Sequence, residues 1–122
     1  MIQEVLLECA FFIPLRRDKI LSDGELHSLE VWEWLEEILL TRFTARTIAP
    51  GFYQGIYQDP DTGQKIADES RRYVVALPFS RVGEIREILA EACVRFAQKC
   101  IYLSVAGYVE FVGHSNENQN LP

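Results

Sequence analysis

Four charged side chains, Glu4, Glu8, Glu110 and Arg72, have the types needed for proton transfer: a pair of acids with a cation beside them. The same residues at the wet edge of a sheet would only make inter-strand ion pairs, and this simpler reading is preferred. A second candidate is GIYQDPDTGQKIADES (55 to 70), which carries Asp59, Asp61, Asp68 and Glu69. A calcium loop needs oxygen ligands at its positions one, three and five, Gly at six and Glu at twelve, between helices. Counted from Asp59, Gly63 falls at five, Gln64 at six and Ser70 at twelve, and the flanks are β-prone. Asp-Pro-Asp-Thr-Gly instead has the chemistry of a turn, so the stretch is expected to be a hairpin tip.

The other reactive side chains point to structure. His27 sits where a helix cap belongs and His114 opens the C-terminal tail, neither with a nucleophile or carboxylate at a motif spacing. Cys9, Cys93 and Cys100 are odd in number and lack a Cys-x-x-Cys pair or a nearby His, which argues against a disulfide framework or a zinc ribbon. Cys93 and Cys100 are expected on one face of a helix as packing thiols. Arg16-Arg17 and Arg71-Arg72 flank strand ends, where isolated pairs are ordinarily solvated. No metal and no cofactor is implied.

The elements that must position these residues follow from periodicity. The first strand is expected over 3–15 and an amphipathic helix over 28–43, with Val31, Leu35, Ile38, Leu39 and Phe43 on its apolar side. Trp32 and Trp34, two apart, cannot both face a core. Strands two and three are expected at 46–58 and 70–79, the former broken at Pro50-Gly51 in the manner of a bulge or an edge. A second helix runs from Val82 to about Cys100, and the alternation of IYLSVAGYVEFV (101 to 112) predicts strand four. The order β-α-β-β-α-β is that of the ferredoxin-like α+β sandwich, a four-stranded antiparallel sheet with two helices on one face. One domain over 1–113 and a disordered polar tail over 114–122 are expected.

In such a sandwich one sheet face is left open. The alternation directs Val5, Leu7, Phe11, Tyr73, Val75, Leu77, Ile101, Leu103, Val105, Val109 and Phe111 to the helices. It directs Glu4, Leu6, Glu8, Ala10, Phe12, Tyr53, Tyr57, Arg72, Val74, Ala76, Tyr102, Ser104, Ala106, Tyr108 and Glu110 to the open face. That face is too apolar to stay wet. A homodimer through it is the expected cover, ahead of a ligand cleft and a C-terminal flap.

The chain has 122 residues and a net charge of −6, with 48% hydrophobic and 25% charged residues. This suits one soluble core and disfavours nucleic acid, since phosphate contacts need clustered Lys and Arg. No stretch approaches the roughly twenty apolar residues of a membrane span, and no export signal is evident, so a cytoplasmic location is expected.

Asp23-Gly24-Glu25 leading into a helix with Trp34, Arg42-Phe43 at its end, Gly55 before an aromatic strand residue and Glu69-Ser70-Arg71 opening a strand resemble a family of small bacterial domains of unknown function. The resemblance spans roughly residues 9–112 and implies a ferredoxin-like fold, with no activity and no catalytic residue to carry over. Members of that family often carry export signals, and none is expected in this chain.

The leading expectation is a non-enzymatic interaction or small-ligand-binding domain that self-associates through its open sheet face. The alternative is an enzyme of the dimeric α+β barrel type, with a small, partly apolar substrate held in a sheet-face pocket by Tyr53, Tyr57, Arg72, Tyr102, Ser104 and Tyr108. RNA stacked on the sheet aromatics is a third reading, which the acidic charge disfavours.

Overall fold

A computed structural model of the chain describes residues 5–43, 46–48, 53–58 and 62–113. Its strands are β1 (Leu7–Pro14), β2 (Arg46–Ile48), β3 (Tyr53–Gln58), β4 (Lys65–Leu77), β5 (Cys100–Val105) and β6 (Tyr108–Gly113), and its helices are α1 (Leu29–Arg42) and α2 (Val82–Arg95). They form an α+β structure with one antiparallel sheet in the order β2-β4-β1-β5-β6, and β3 pairs with the remaining length of β4.

The core lies between the helices and one sheet face. Cys9, Phe11 and Ile13 of β1, Tyr73, Val75 and Leu77 of β4, and Ile101 and Leu103 of β5 pack in one cluster with Trp32, Leu35 and Leu39 of α1 and Ile85, Leu89 and Phe96 of the α2 region. Strand residues two apart share a face, which is why the odd-numbered positions of β1, β4 and β5 are buried together. Trp32 is buried and Trp34 half-buried under the Arg95 guanidinium, 4.4 Å from its ring centroid. His27 is buried against Trp32 and Phe96, and its Nε2–H donates to the Pro14 carbonyl at 2.8 Å. Burial lowers its pKa, so this histidine serves the core as a neutral ring.

Sequence and structure part at three places. The interrupted strand two is two strands, β2 and β3, which pair with successive lengths of β4. The helix from Val82 ends at Arg95, well before Cys100. Ala97 turns to a φ of 49°, its N–H donates to the Val94 carbonyl, and the Gln98 N–H donates to the Cys93 carbonyl, closing a Schellman motif on an alanine. Cys100 is therefore exposed at the start of β5, and only Cys9 and Cys93 are buried thiols.

The third difference matters most. Residues 101–112 do not form one strand but a hairpin, with Val105 paired to Tyr108 around Ala106-Gly107. Both turn residues have positive φ, 49° and 90°, as a two-residue type I′ connection requires. The expected tail over 114–122 and His114 lie outside the described residues. GIYQDPDTGQKIADES does form the β3–β4 hairpin, with Gln58 paired to Lys65, while Asp59 and Asp61 lie outside the described residues. Asp68 sits half-buried in β4, its carboxyl pushed up by burial and by the charge of Asp18.

Candidate functional site on the open sheet face

Registers assemble the face row by row. Phe12 lies opposite Arg72 on β4 and beside Tyr102 of β5, which in turn faces Phe111 on β6. The next row toward the start of β1 is small: Ala10 sits between Val74 and Ser104, and Ser104 faces Val109. Beyond it, Glu8 lies opposite Ala76, with the β5–β6 turn alongside, where the Ala106 N–H donates to the Glu8 carbonyl at 2.9 Å.

The step from large to small side chains makes a depression of about 460 Å³. Phe12, Tyr102 and Arg72 stand at one end, Ala10 and Ser104 line the middle, and Glu8, Ala106 and Gly107 close the other end. A line of edge-to-face rings runs along the large row. Tyr53 and Phe12 are 5.7 Å apart, Phe12 and Tyr102 5.3 Å, and Tyr102 and Phe111 5.8 Å between centroids. Each ring packs on the next, an arrangement worth roughly 0.5–1.5 kcal/mol per pair beyond the area it buries.

The candidates named from the sequence divide cleanly. Phe12, Tyr53, Arg72, Val74, Tyr102 and Ser104 share the open face as expected. Leu6 is exposed just ahead of β1 rather than within it. Tyr57 pairs with Ile66 in the β3–β4 ladder, its side chain lying outside what is described, as does the whole of Glu4.

Tyr108 and Glu110 are corrected. The two-residue turn reverses the parity of everything after it, because paired residues share a face: Tyr108 goes with Val105 and Glu110 with Leu103, on the helix side. Glu110 there receives two hydrogen bonds from Arg86 of α2, at 2.7 and 3.1 Å, and has no part in an acid pair with Glu8 or an ion pair with Arg72. Conversely Val109 and Phe111, assigned to the core from the sequence, are 50% and 65% exposed on the open face. The signal that could have found them was Ala-Gly at the centre of the alternating run.

The depression is lined by two charged residues that take part in none of the ion pairs among the described residues, Glu8 and Arg72, at its opposite ends. Among the described residues no cluster of three or more His, Cys, Asp or Glu is placed to hold a metal ion, and no helix is long and apolar enough to cross a membrane.

No family model and no curated protein matches the chain. Two solved structures resemble it. One is a phage SAM lyase in complex with S-methyl-5′-thioadenosine, with a TM-score of 0.65 at 12% identity over 93% of each chain. The other is a phage SAM lyase in the apo state, with a TM-score of 0.57 at 13% identity over 89% of this chain and 90% of that one. At such identity the likeness is one of fold.

Proposed function

We propose that the chain binds a small, partly apolar ligand of the adenosine thioether class in the depression on its open sheet face. The observation that carries this reading is the depression itself, with packed rings at one end, a small floor and two charged residues outside the ion pairs among the described residues. A purine is flat and apolar on its faces, and its edge or face packs against Phe12 and Tyr102 as one ring packs against another. The Arg72 guanidinium beside them is planar and stacks on such a ring more readily than an ammonium would. The sugar and the sulfur then lie over Ala10 and Ser104. The S-methyl-5′-thioadenosine bound by a protein of the same fold supplies the ligand class to test.

The experiment is calorimetric titration with S-methyl-5′-thioadenosine, wild type against Phe12→Ala. Saturable binding is expected, weakened at least about fivefold in the variant, since removing a stacked aromatic partner costs roughly 1–3 kcal/mol. No heat at millimolar ligand, or equal affinity in the variant, overturns the reading. Incubating the same protein with SAM and measuring release of S-methyl-5′-thioadenosine asks separately whether binding is followed by cleavage of a C–S bond.

The fold reading that goes with this is a ferredoxin-like core with an added edge strand. Its support is the order β5-β1-β4-(β2, β3), in which each helix links strands separated by one neighbour. Three cysteines outside any disulfide agree with a reducing, cytoplasmic location.

A further inference from the structure

We propose that Glu8 sets the charge preference of this site, favouring a cationic sulfonium over a neutral thioether of the same skeleton; the proposal rests on the ligand reading above. Among the described residues five other acids have a guanidinium within ion-pair distance: Asp23 has Arg17, Glu36 has Arg71, Glu84 has Arg42 and Arg81, Glu91 has Arg95, and Glu110 has Arg86. Glu8 lines the depression and takes part in none of these pairs. Arg72, the cation on the same face, is opposite Phe12, whereas Glu8 is opposite Ala76 four positions further along β4. At ~3.3 Å per residue their backbones are on the order of 13 Å apart along the sheet, and no ion pair joins the two side chains.

The position of Glu8 is also fixed. Its backbone is paired to Ala76 on one side, and its carbonyl is held by the Ala106 N–H on the other. The side chain of Glu8 is therefore rooted at the end of the depression opposite the rings. A nucleoside whose base packs on Phe12 and Tyr102 directs its 5′ substituent across the small row toward this carboxylate. A positive charge on the 5′ sulfur meets it, and a neutral sulfur does not.

The test uses SAM and S-adenosylhomocysteine, which share adenosine and amino acid and differ in the methyl group and charge at sulfur, with S-methyl-5′-thioadenosine as a third ligand. Affinities are measured by calorimetry on wild type, Glu8→Gln and Glu33→Gln. Glu33 is exposed on α1, so its variant changes the net charge equally but away from the site. Wild type and Glu33→Gln are expected to prefer SAM over S-adenosylhomocysteine by roughly fivefold, the upper range for a charge contact open to water. Glu8→Gln is expected to bind both alike. Equal wild-type affinities, or a preference that survives in Glu8→Gln, overturn the role of Glu8 while leaving the ligand reading intact. If none of the three ligands binds wild type, the ligand reading falls and this inference falls with it.

Discussion

A thiol reports its surroundings more directly than any other side chain here. Cys9 is fully buried on the helix side of β1, and its thiol is pushed up by that burial, partly offset by Arg86. Cys93 is buried on α2 and its Sγ–H donates to the Val112 carbonyl at 3.3 Å. Cys100 is exposed at the start of β5. Since the thiolate is the nucleophile, native protein is expected to release colour quickly from one thiol with a disulfide reagent, and two more only in denaturant. Mass spectrometry after brief labelling should place the tag on Cys100; rapid modification of Cys93 would contradict its burial on α2. At the same scale, Gly24 shows why Asp-Gly-Glu stands before α1. Its φ is 72°, and a Cβ there would lie 2.7 Å from Lys19 Cγ. Asp23 beside it is held to about 2 by the Arg17 guanidinium and the Glu25 N–H. This corner is built for shape, with its charges already paired.

At the scale of elements, most of the architecture was legible because periodicity is a local property. Alternation placed Phe11, Tyr73, Val75, Leu77, Ile101 and Leu103 against the helices correctly, while Pro50-Gly51, where strand two was expected to be interrupted, lie outside the described residues between β2 and β3. The failures share a cause: at Ala97 and Ala106 an alanine adopts the left-handed conformation that sequence reasoning expects of glycine. A helix end and a hairpin were thus hidden inside runs that kept their hydrophobic period. Helix ends elsewhere are pinned by charge. Glu84 in the first turn of α2 accepts from Arg81 at 2.6 Å and from Arg42, at the end of α1, at 2.8 Å, while Arg81 donates to the Arg42 carbonyl at 2.7 Å. These bonds to Arg81 and then Arg42 lower the Glu84 pKa from 4.5 to about 2. A carboxyl lowered in the folded state adds stability that is present above its unfolded value and disappears as pH falls through the folded one. Thermal melts are therefore expected to drop between about pH 4.5 and pH 2. Glu84→Gln should melt lower than wild type at neutral pH and lose less across that window, so parallel curves would show that this link between α1 and α2 adds nothing.

For the whole molecule the question is what covers the open face. Small ligands are ordinarily enclosed over 70–90% of their surface, and a depression on one sheet leaves one side of its occupant in water. A second copy laid sheet against sheet would supply the missing wall. The β5–β6 hairpin favours this, because it places Val109 and Phe111 on the same face as Tyr53, Phe12 and Tyr102, extending the ring line to the last strand of the sheet. A two-fold axis would then set rings against rings. Stable association of this kind removes at least roughly 1,200 Å² from water, which an apolar face of four strands can provide. The protein is expected to scatter light as a dimer, twice its 14.1 kDa. Phe111 is the probe of choice, since it is 65% exposed and its removal disturbs no core packing. Phe111→Glu would place a carboxylate at the interface of both copies, which should cost several kcal/mol and separate them, with the melting temperature of the monomer showing that each still folds. Val74→Glu, nearer the centre of the face, should do the same. A wild type that runs at 14.1 kDa at high micromolar concentration would leave the face open in the free protein. The ligand would then have to bind on one wall alone, and its affinity should be correspondingly weak.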